Sequence, residues 1–386
     1  MQVYRQKRSA KTRAGLKKYK VPFIKPDFPA AEDVAEDYKK ILSANWFTNY
    51  GPFEREFSQR IAAYIGEGYH ACTSSNATSA LLAGLLGVLG KGDGTRYVLM
   101  PSFTFVAVAD VVAWCGYKPL LIDIEDKGLH MDIAQAEDAL GNTKYEGKIA
   151  AILFCNAFGV GTTDIEAWEK LAEQKGLPLI IDSAAGFGSL YSADRKVGSA
   201  GTCEIFSFHA TKPFSIGEGG AAVSRDKDLI EKIKAIQNFG FGGGGNALYL
   251  GFNGKLEEIN AAIGLRQFER FDTILKGRRQ VLGAYARLNP NKFILQENAA
   301  NASLCFASVL TDADQRDGLL SNLLESGVEA RTYYNPSIHK QDYFKAADRY
   351  SDLKVTEDVD ARILSLPIHD NMRAEDIDLI VHILNG

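Results

Sequence analysis

The chain of 386 residues is 46% hydrophobic and 24% charged, and its formal net charge is −4. These values are typical of a globular protein and exclude an intrinsically disordered chain. The small net charge gives no electrostatic reason to expect a nucleic acid as partner. No apolar run reaches the roughly 18 residues of a membrane span, and no secretory signal leads the sequence. We therefore expect a cytoplasmic protein without a nucleic-acid or membrane partner.

The cysteines favour neither a metal centre nor a disulfide framework. They are odd in number, lie far apart and form no CxxC motif, so reduced, buried thiols are the better interpretation. The five residues are Cys72, Cys115, Cys155, Cys203 and Cys305.

The amino-terminal segment is basic. Its first twenty residues contain eight lysines and arginines and no acidic residue, and we predict a basic arm over residues 1–22. Such a run is typical of a solvated arm. The alternative is an arm that contacts an anionic ligand or the acidic surface of a second subunit. A transit peptide is disfavoured because the segment is poor in serine.

The pattern along the chain predicts an α/β fold. Helical patterns cover about 33–65, with a turn-rich interruption at 46–52. Short apolar runs then alternate with helical segments, which indicates a mostly parallel central sheet with helices on both faces. The runs are 97–100, 119–122, 149–154, 178–181, 204–208 and 221–224. The helical segments are 77–90, 104–115, 132–140 and 163–175.

The last third of the chain changes character. Two long helical patterns, at 256–274 and 276–288, are followed by strand-like runs at 293–296 and 303–310 and by helices near 313–326 and 375–384. This order predicts a smaller α+β domain with an antiparallel sheet. We place a large cofactor-binding domain, including the N-terminal helices, at 23–270 and the small domain at 271–386.

Chemically distinctive residues follow the apolar runs, at the strand ends where open α/β sheets bind ligands. Asp182 follows one run, Lys212 follows another, and Asn156 and Phe105 follow two more. A helix start with small hydroxyl residues lies at 74–79. Pyridoxal phosphate (PLP) needs such a set: a lysine for its aldehyde, a carboxylate for its pyridinium, and a helix N-terminus for its phosphate.

Each of these residues alone has an ordinary interpretation. A lysine after a strand is usually a surface cation, and an aspartate there is more often a helix cap. The glycines at 217–220, which permit backbone conformations closed to other residues, lie beside Lys212 and before another strand. The combination predicts a PLP enzyme.

The segments 206–212 and 217–220, Phe-Ser-Phe-His-Ala-Thr-Lys and Gly-Glu-Gly-Gly, resemble the signature of the DegT/DnrJ/EryC1/StrS family. Its members are fold-type I, PLP-dependent aminotransferases that act on nucleotide-linked keto sugars. The resemblance extends from about Phe23 to the C-terminus. Similar motifs occur at 46–52, 75–81, 101–105, 251–256 and 364–367.

The resemblance implies roles for individual residues. Lys212 would hold the cofactor as a Schiff base and move the proton during transfer, and Asp182 would pair with the pyridinium. The other cofactor contacts that it implies are Ala77, Thr78, Phe105, Asn156, Ser207 and, from the partner chain of a homodimer, Asn253. Substrate contacts are expected at Thr48, His209 and Arg331. No metal ligand is implied.

The resemblance also implies a reaction. An amino acid, usually L-glutamate, loads the amino group, and a nucleotide-linked keto sugar, such as a 4-keto-6-deoxyhexose, removes it in amino-sugar biosynthesis. Two positions depart from the family pattern. Ala185 stands where Gln or His usually approaches the cofactor hydroxyl, so Asn156 or Ser183 would have to supply that contact. Lys255 and Leu256 replace the usual Arg-Met pair.

Other interpretations remain open at this point. One is a different fold-type I activity, such as a 3-keto sugar aminotransferase, a dehydratase or an amino-acid aminotransferase. A sugar dehydratase relative has histidine in place of the lysine, and Lys212 is retained here. A desulfurase is disfavoured because Cys155 and Cys305 lie in apolar strand patterns. The last alternative is a non-catalytic PLP-binding regulator, although no helix-turn-helix pattern accompanies the chain.

Overall fold

The computed structural model describes residues 19–386. Residues 1–18 of the predicted basic arm lie outside this range. The described end of the arm is held against the rest of the chain, because the Val21 amide donates a hydrogen bond to the Gly327 carbonyl at 3.1 Å and Val21 bridges to Val328. The chain therefore enters the molecule beside its C-terminal part.

Within residues 19–386, the predicted alternation of helices and strands is observed. The α-helices are α1 (Ala31–Ala44), α2 (Pro52–Ile65), α3 (Ala77–Leu89), α4 (Ala107–Trp114), α5 (Ile133–Gly141), α6 (Ile165–Lys175), α7 (Lys227–Gln237), α8 (Glu258–Tyr285), α9 (Ala313–Glu325), α10 (Lys354–Arg362) and α11 (Ala374–Asn385). The strands are β1 (His70–Ser74), β2 (Tyr97–Pro101), β3 (Lys118–Ile122), β4 (Ile149–Cys155), β5 (Leu179–Asp182), β6 (Leu190–Ser192), β7 (Arg195–Lys196), β8 (Cys203–Ser207), β9 (Gly220–Ser224), β10 (Ile294–Leu295), β11 (Phe306–Leu310), β12 (Asp348–Arg349) and β13 (Ile363–Pro367).

The central sheet has the strand order β1-β9-β8-β5-β4-β2-β3-β12. Every neighbouring pair from β8 to β12 is parallel, while β9 runs antiparallel to both β8 and β1. The predicted mostly parallel sheet is therefore confirmed. Two of its strands were not predicted: β1, at one edge, and β12, which comes from the C-terminal third of the chain.

Helices cover both faces of this sheet, because successive side chains of a strand point to opposite faces. Ile152 and Phe154 of β4 pack with residues of α2, α5, α6 and α8, whereas Leu153 and Cys155 pack with α3, α4 and α7. Strands buried on both faces must be nearly continuous apolar runs, which is the pattern seen in the sequence.

The C-terminal part forms a second sheet, antiparallel, in the order β10-β11-β13. It shares a core with α9, α11 and the last turns of α8. The prediction of two helices at 256–274 and 276–288 is wrong, since α8 is one continuous helix of 28 residues. It runs through position 270, where we placed the domain boundary, and that boundary stays a prediction.

Two further properties concern residues 19–386 as a whole. No helix in this range combines the length and apolar character needed to cross a bilayer. The same residues contain no group of three or more His, Cys, Asp or Glu side chains arranged to hold a metal ion.

Candidate active site

A cavity of about 650 Å³ lies where the carboxyl ends of β2, β4, β5 and β8 meet. Eight of the eleven predicted site residues line this cavity. The predicted residues in its wall are Ala77, Thr78, Phe105, Asn156, Asp182, Ser207, His209 and Lys212. Residues from five separate segments of the chain therefore meet in one space.

Asp182 is the last residue of β5, one position inside the strand rather than after it as predicted. Its Oδ1 atom accepts a hydrogen bond from the Ala184 amide at 2.9 Å. Burial raises the pKa of this carboxyl, and the Ala184 amide and the Lys212 charge act in the opposite direction. Asp182 is thus a half-buried acid whose charge a cationic partner from the cavity would stabilise.

Lys212 follows β8 in a short turn, in which its amide donates to the His209 carbonyl at 2.8 Å. The adjoining backbone returns to the sheet, since His209 bridges to Gly217 just before β9 begins. The lysine is half-buried in the cavity wall, close enough to Asp182 for its charge to lower the pKa of that carboxyl. Amine and carboxylate are therefore brought into the same cavity.

The N-terminus of α3 supplies backbone donors to the cavity. Asn76 caps the helix by accepting the Ser79 amide at 2.8 Å, and Ala77 and Thr78 occupy the first turn. Amides of a first turn have no acceptor within the helix and bind anions readily. Gly220 makes this arrangement possible, because a Cβ at that position would lie 2.7 Å from the Ala77 nitrogen.

Two side chains mark the rim and floor of the cavity. Phe105 is 57% exposed although it is a large aromatic residue, so one of its faces is free to cover a bound ring. Ser207, the last residue of β8, is buried, and its hydroxyl accepts the His209 amide at 3.3 Å. Both positions fit the contacts that the family resemblance implies.

His209 is held in one orientation at the cavity mouth. Its Nδ1 atom accepts the Thr211 amide at 3.1 Å and lies 2.8 Å from the Thr211 hydroxyl. The proton of the neutral ring therefore lies on Nε2, which is 3.7 Å from a carboxylate oxygen of Glu218. The ring presents an N–H donor towards the open side of the cavity.

Asn156 lines the cavity, but its amide group is engaged behind the wall. Its Nδ2 atom donates to the Ser183 hydroxyl at 2.7 Å and to the Tyr191 hydroxyl at 2.9 Å. Ser183 is fully buried and donates its own proton to Glu204. Neither side chain has a proton left to donate into the cavity beside Ala185, where the family resemblance implies a contact with the cofactor hydroxyl.

Three of the predicted residues do not line this cavity. Thr48 lies in the segment between α1 and α2. Asn253 is exposed, and its Oδ1 atom accepts the Lys255 ammonium at 2.8 Å. Arg331 pairs with Glu329 at 2.9 Å, and its guanidinium stacks over the Phe23 ring at 4.6 Å. Their assignments to cofactor or substrate stay predictions.

Part of the cavity wall is aromatic and was not predicted from the sequence. It consists of Phe23, Phe158, Phe306, Tyr333 and Tyr334, and the rings of Phe158 and Tyr334 stack at 4.7 Å. These residues come from four distant segments, so no local periodicity connects them. The available signal was the position of Tyr333 and Tyr334 two and three residues after the candidate Arg331.

The described residues fit PLP. The cavity combines a lysine amine, a half-buried carboxylate, uncommitted helix amides for a phosphate and an exposed aromatic face for a ring. The close approach of Gly220 to α3 keeps the space at the helix N-terminus free of side-chain atoms. These are the groups that PLP requires of its binding site.

The fold and the cavity thus define a fold-type I, PLP-dependent enzyme. The sequence profile of the DegT/DnrJ/EryC1/StrS aminotransferase family matches residues 30–385. The chain belongs to this family, and it is a PLP-dependent aminotransferase.

Individual relatives match nearly the whole chain. Protein Rv3402c of Mycobacterium tuberculosis is 46% identical over 94% of this chain and 89% of its own length. The GDP-perosamine synthase of Caulobacter vibrioides is 30% identical over 95% and 98% of the two chains.

Two solved structures have the same fold over nearly their full length. A DegT DnrJ EryC1 StrS aminotransferase from Brucella abortus superimposes with a TM-score of 0.85 at 27% identity, covering 92% of this chain and 95% of its own. The structure of DesI in the presence of its TDP-sugar product gives a TM-score of 0.85 at 29% identity, with 96% and 94% covered.

Proposed function

We propose that this aminotransferase moves the amino group of L-glutamate to a nucleotide-linked 4-keto-6-deoxyhexose. The observation that carries the proposal is the meeting of Lys212, Asp182 and the free amides of α3 in one cavity. The substrate class is supported by similar proteins: one is named GDP-perosamine synthase, and another was solved with its TDP-sugar product.

Bound PLP would supply an electron sink that stabilises negative charge on the substrate carbon. The protein residues would do the rest. The first-turn amides of Ala77 and Thr78, together with the Ser207 hydroxyl, would bind the phosphate group. Phe105 would cover one face of the ring. Asp182 would accept the N–H of the pyridinium and keep it charged, since a half-buried carboxylate prefers a cationic partner.

Lys212 would act twice. Its amine would hold the cofactor, and once displaced by the substrate amine it would be a free base beside the reacting carbon. As that base it would move a proton from the donor's α-carbon to the cofactor in the first half-reaction, and from the cofactor to C4 of the sugar in the second. Because the two half-reactions run in opposite directions, the same base can serve both of them if it stays beside the reacting carbon. A lysine in the cavity wall provides such a base.

Substrate contacts are proposed at the open side of the cavity. The Nε2–H group of His209 faces this side and can donate to a sugar hydroxyl. Thr48 and Asn253 would reach the site from the partner chain of a homodimer. Arg331 would act indirectly, because its guanidinium is paired with Glu329 and stacked on Phe23, a residue of the aromatic wall.

The test begins with covalent trapping. We expect purified protein incubated with PLP to absorb in the visible range, and reduction with borohydride followed by peptide mapping to place the label on Lys212. The Lys212→Ala variant should lose both signals, whereas Lys175→Ala, an exposed lysine at the end of α6, should keep them. A wild-type protein that takes up no PLP, or carries it on another lysine, would refute the proposal.

The substrate is tested by turnover. The protein is supplied with L-glutamate and a panel of nucleotide-linked 3-keto and 4-keto sugars, and both 2-oxoglutarate and amino sugar are measured. We expect equal amounts of the two products with a 4-keto-6-deoxy sugar. Formation of a deoxygenated sugar with 2-oxoglutarate and free ammonia, but without an amino sugar, would instead indicate a dehydratase, because glutamate would then supply only the electrons. No reaction with any sugar would contradict the substrate class.

A further inference from the structure

Glu204 is a fully buried carboxylate and the second residue of β8, the strand that leads to Lys212. Its neighbour Ile205 packs with α3 and α4, whereas Phe206 packs with α2 and α8. Because side chains alternate along a strand, Glu204 lies on the α2/α8 face of the sheet, with Phe206. The carboxylate does not line the cavity and makes no contact with the reacting groups.

Both oxygens of this carboxylate accept at least two hydrogen bonds, and Oε1 has a third, longer contact with the Asn156 amide at 3.4 Å. Oε1 accepts the hydroxyl of Ser183 and, at 2.7 Å, the hydroxyl of Tyr191. Oε2 accepts the amides of Gly198 at 2.6 Å and Ala200 at 3.3 Å. Burial raises the pKa of Glu204 to about 7, while these hydrogen bonds act to lower it.

Asn156 closes the network. Its amide donates to the hydroxyl oxygens of Ser183 and Tyr191, so both hydroxyl protons are directed to Glu204. The amide itself is oriented by the backbone of Thr162, which donates to its Oδ1 atom at 3.3 Å. Every proton of the network has an acceptor, and the carboxylate ties together the ends of β4 and β5, strand β6 and the loop before β8.

This network borders Asp182 on both sides. Ser183 is the next residue in the chain, and the amide after it, of Ala184, holds the Oδ1 atom of Asp182 at 2.9 Å. The backbone amide of Asn156 donates to the carbonyl of Asp182, also at 2.9 Å. The peptide groups that set the direction of the Asp182 carboxylate are therefore anchored, through two side chains, to Glu204.

Burying a charge costs desolvation free energy, and a protein with an apolar residue of similar size at such a position is often equally or more stable. The network therefore has a better explanation in positioning than in stability. The neighbouring Ala185 offers no polar contact to the cavity, so orientation must come from behind the wall. We infer that Glu204 is a positioning residue that fixes the Asp182 carboxylate towards the cofactor nitrogen. This inference rests on the proposed role of Asp182.

The test uses the full-length holoenzyme and the variant Glu204→Gln. Glutamine has one acceptor oxygen, and its NH2 group would face either the two hydroxyl protons or the two backbone amides. We expect kcat to fall at least about tenfold with KM for the sugar changed less than about threefold. The pH at which the visible absorption band of the bound cofactor titrates should move by about one unit.

Two variants separate positioning from folding. Ser183→Ala removes a single donor and should shift the same two quantities in the same direction by a smaller amount. Glu169→Gln is the matched control. Glu169 also accepts hydrogen bonds, from Arg195 at 2.7 Å and from the Gly201 amide at 3.1 Å, but it has no connection to Asp182. It should lower stability without moving the titration of the band.

A double-mutant comparison tests the route through Asp182. In an Asp182→Asn background, adding Glu204→Gln should not further change the rate of cofactor release, because the two effects share one pathway. Wild-type spectra and kcat in both Glu204→Gln and Ser183→Ala would overturn the inference, as would additive effects in the double variant. A wild-type protein that binds no PLP would instead overturn the proposed function.

Discussion

Gly220 shows how a single residue limits the phosphate end of the site. A Cβ at this position would lie 2.7 Å from the Ala77 nitrogen and 2.8 Å from the Phe206 carbonyl oxygen, both of them backbone atoms. Gly220→Ala must therefore displace the start of α3. We expect a loss of about 1–3 kcal/mol in the free energy of unfolding, as for other overpacked positions.

The same displacement should weaken PLP binding at least about tenfold, because the amides that would hold the phosphate move with the helix start. Chemical denaturation and a PLP titration measure the two effects. Gly141→Ala, at the end of α5, is the control: no atom lies within 4 Å of its added Cβ, so both quantities should stay near those of the wild type. A Gly220→Ala protein with wild-type PLP affinity would contradict the expectation.

Single residues also show what the sequence can reveal about the site. Lys212 and Asp182 were predicted because each stands at the end of an apolar run, where a polar residue is conspicuous. Glu204 stands at the start of such a run and reads as an ordinary polar residue. Its hydrogen-bond partners Ser183, Tyr191 and Gly198 are brought to it only by the fold, and no local sequence pattern predicts these contacts.

Among the helices, α2 is capped from a distance. Its N-cap residue, Gly51, has no side chain to offer, and the carboxylate of Glu258 in the first turn of α8 accepts the amides of Phe53 and Glu54, both at 2.9 Å. A Cβ at Gly51 would lie 2.4 Å from the Glu258 carboxyl carbon, so the glycine leaves room for this acid. The segment between α1 and α2, with Thr48, is thereby fastened to α8.

We expect Glu258→Ala to lower the free energy of unfolding by about 1–2 kcal/mol, since it removes an N-terminal cap and leaves buried amides unpaired. Glu257→Ala is the matched control. The Glu257 side chain is next to Glu258 in the sequence, but it is exposed and forms no capping hydrogen bond. Urea denaturation of the two variants checks the difference. Equal stability would show that α2 does not depend on this contact.

The elements themselves were predicted where the pattern is long or repeated. The parallel strands and the helices between them follow from continuous apolar runs, because burial on both faces demands them. The break expected at position 275 was wrong, because α8 continues through it. Within this helix, Gly277 allows a close approach to the Asp370 carbonyl, where a Cβ would lie 2.2 Å away. Strand β12 has only two residues, too few to show any period.

At the scale of the whole molecule, one surface of the described chain is unusually apolar. Its exposed side chains lie on the segment between α1 and α2 and on the segment between α7 and α8, which carry Thr48 and Asn253. They include Trp46, Phe47, Phe239, Leu248 and Leu250, which are 41–63% exposed. Large exposed apolar patches typically mark protein interfaces. This surface supports the proposed homodimer, in which Asn253 of one chain would serve the cavity of the other.

Mixed dimers test whether the site is shared. Chains with Lys212→Ala and chains with Asn253→Ala are co-expressed with different tags, and the heterodimers are isolated through both tags. If Asn253 serves the partner's lysine, one cavity of the heterodimer carries both changes and the other carries neither. The heterodimer should then regain about half of the wild-type turnover at limiting PLP, as twofold symmetry requires.

If Asn253 serves its own chain, every cavity of the heterodimer carries one lesion, and turnover should not exceed half that of the Asn253→Ala homodimer. Pairing Lys212→Ala with Asp182→Asn provides the control. Both of these residues line the cavity of one chain, so their heterodimer contains no intact site and should stay inactive. Recovery with Asn253→Ala, and none with Asp182→Asn, would place Asn253 in the partner's site, whereas no recovery with either variant would confine each site to a single chain.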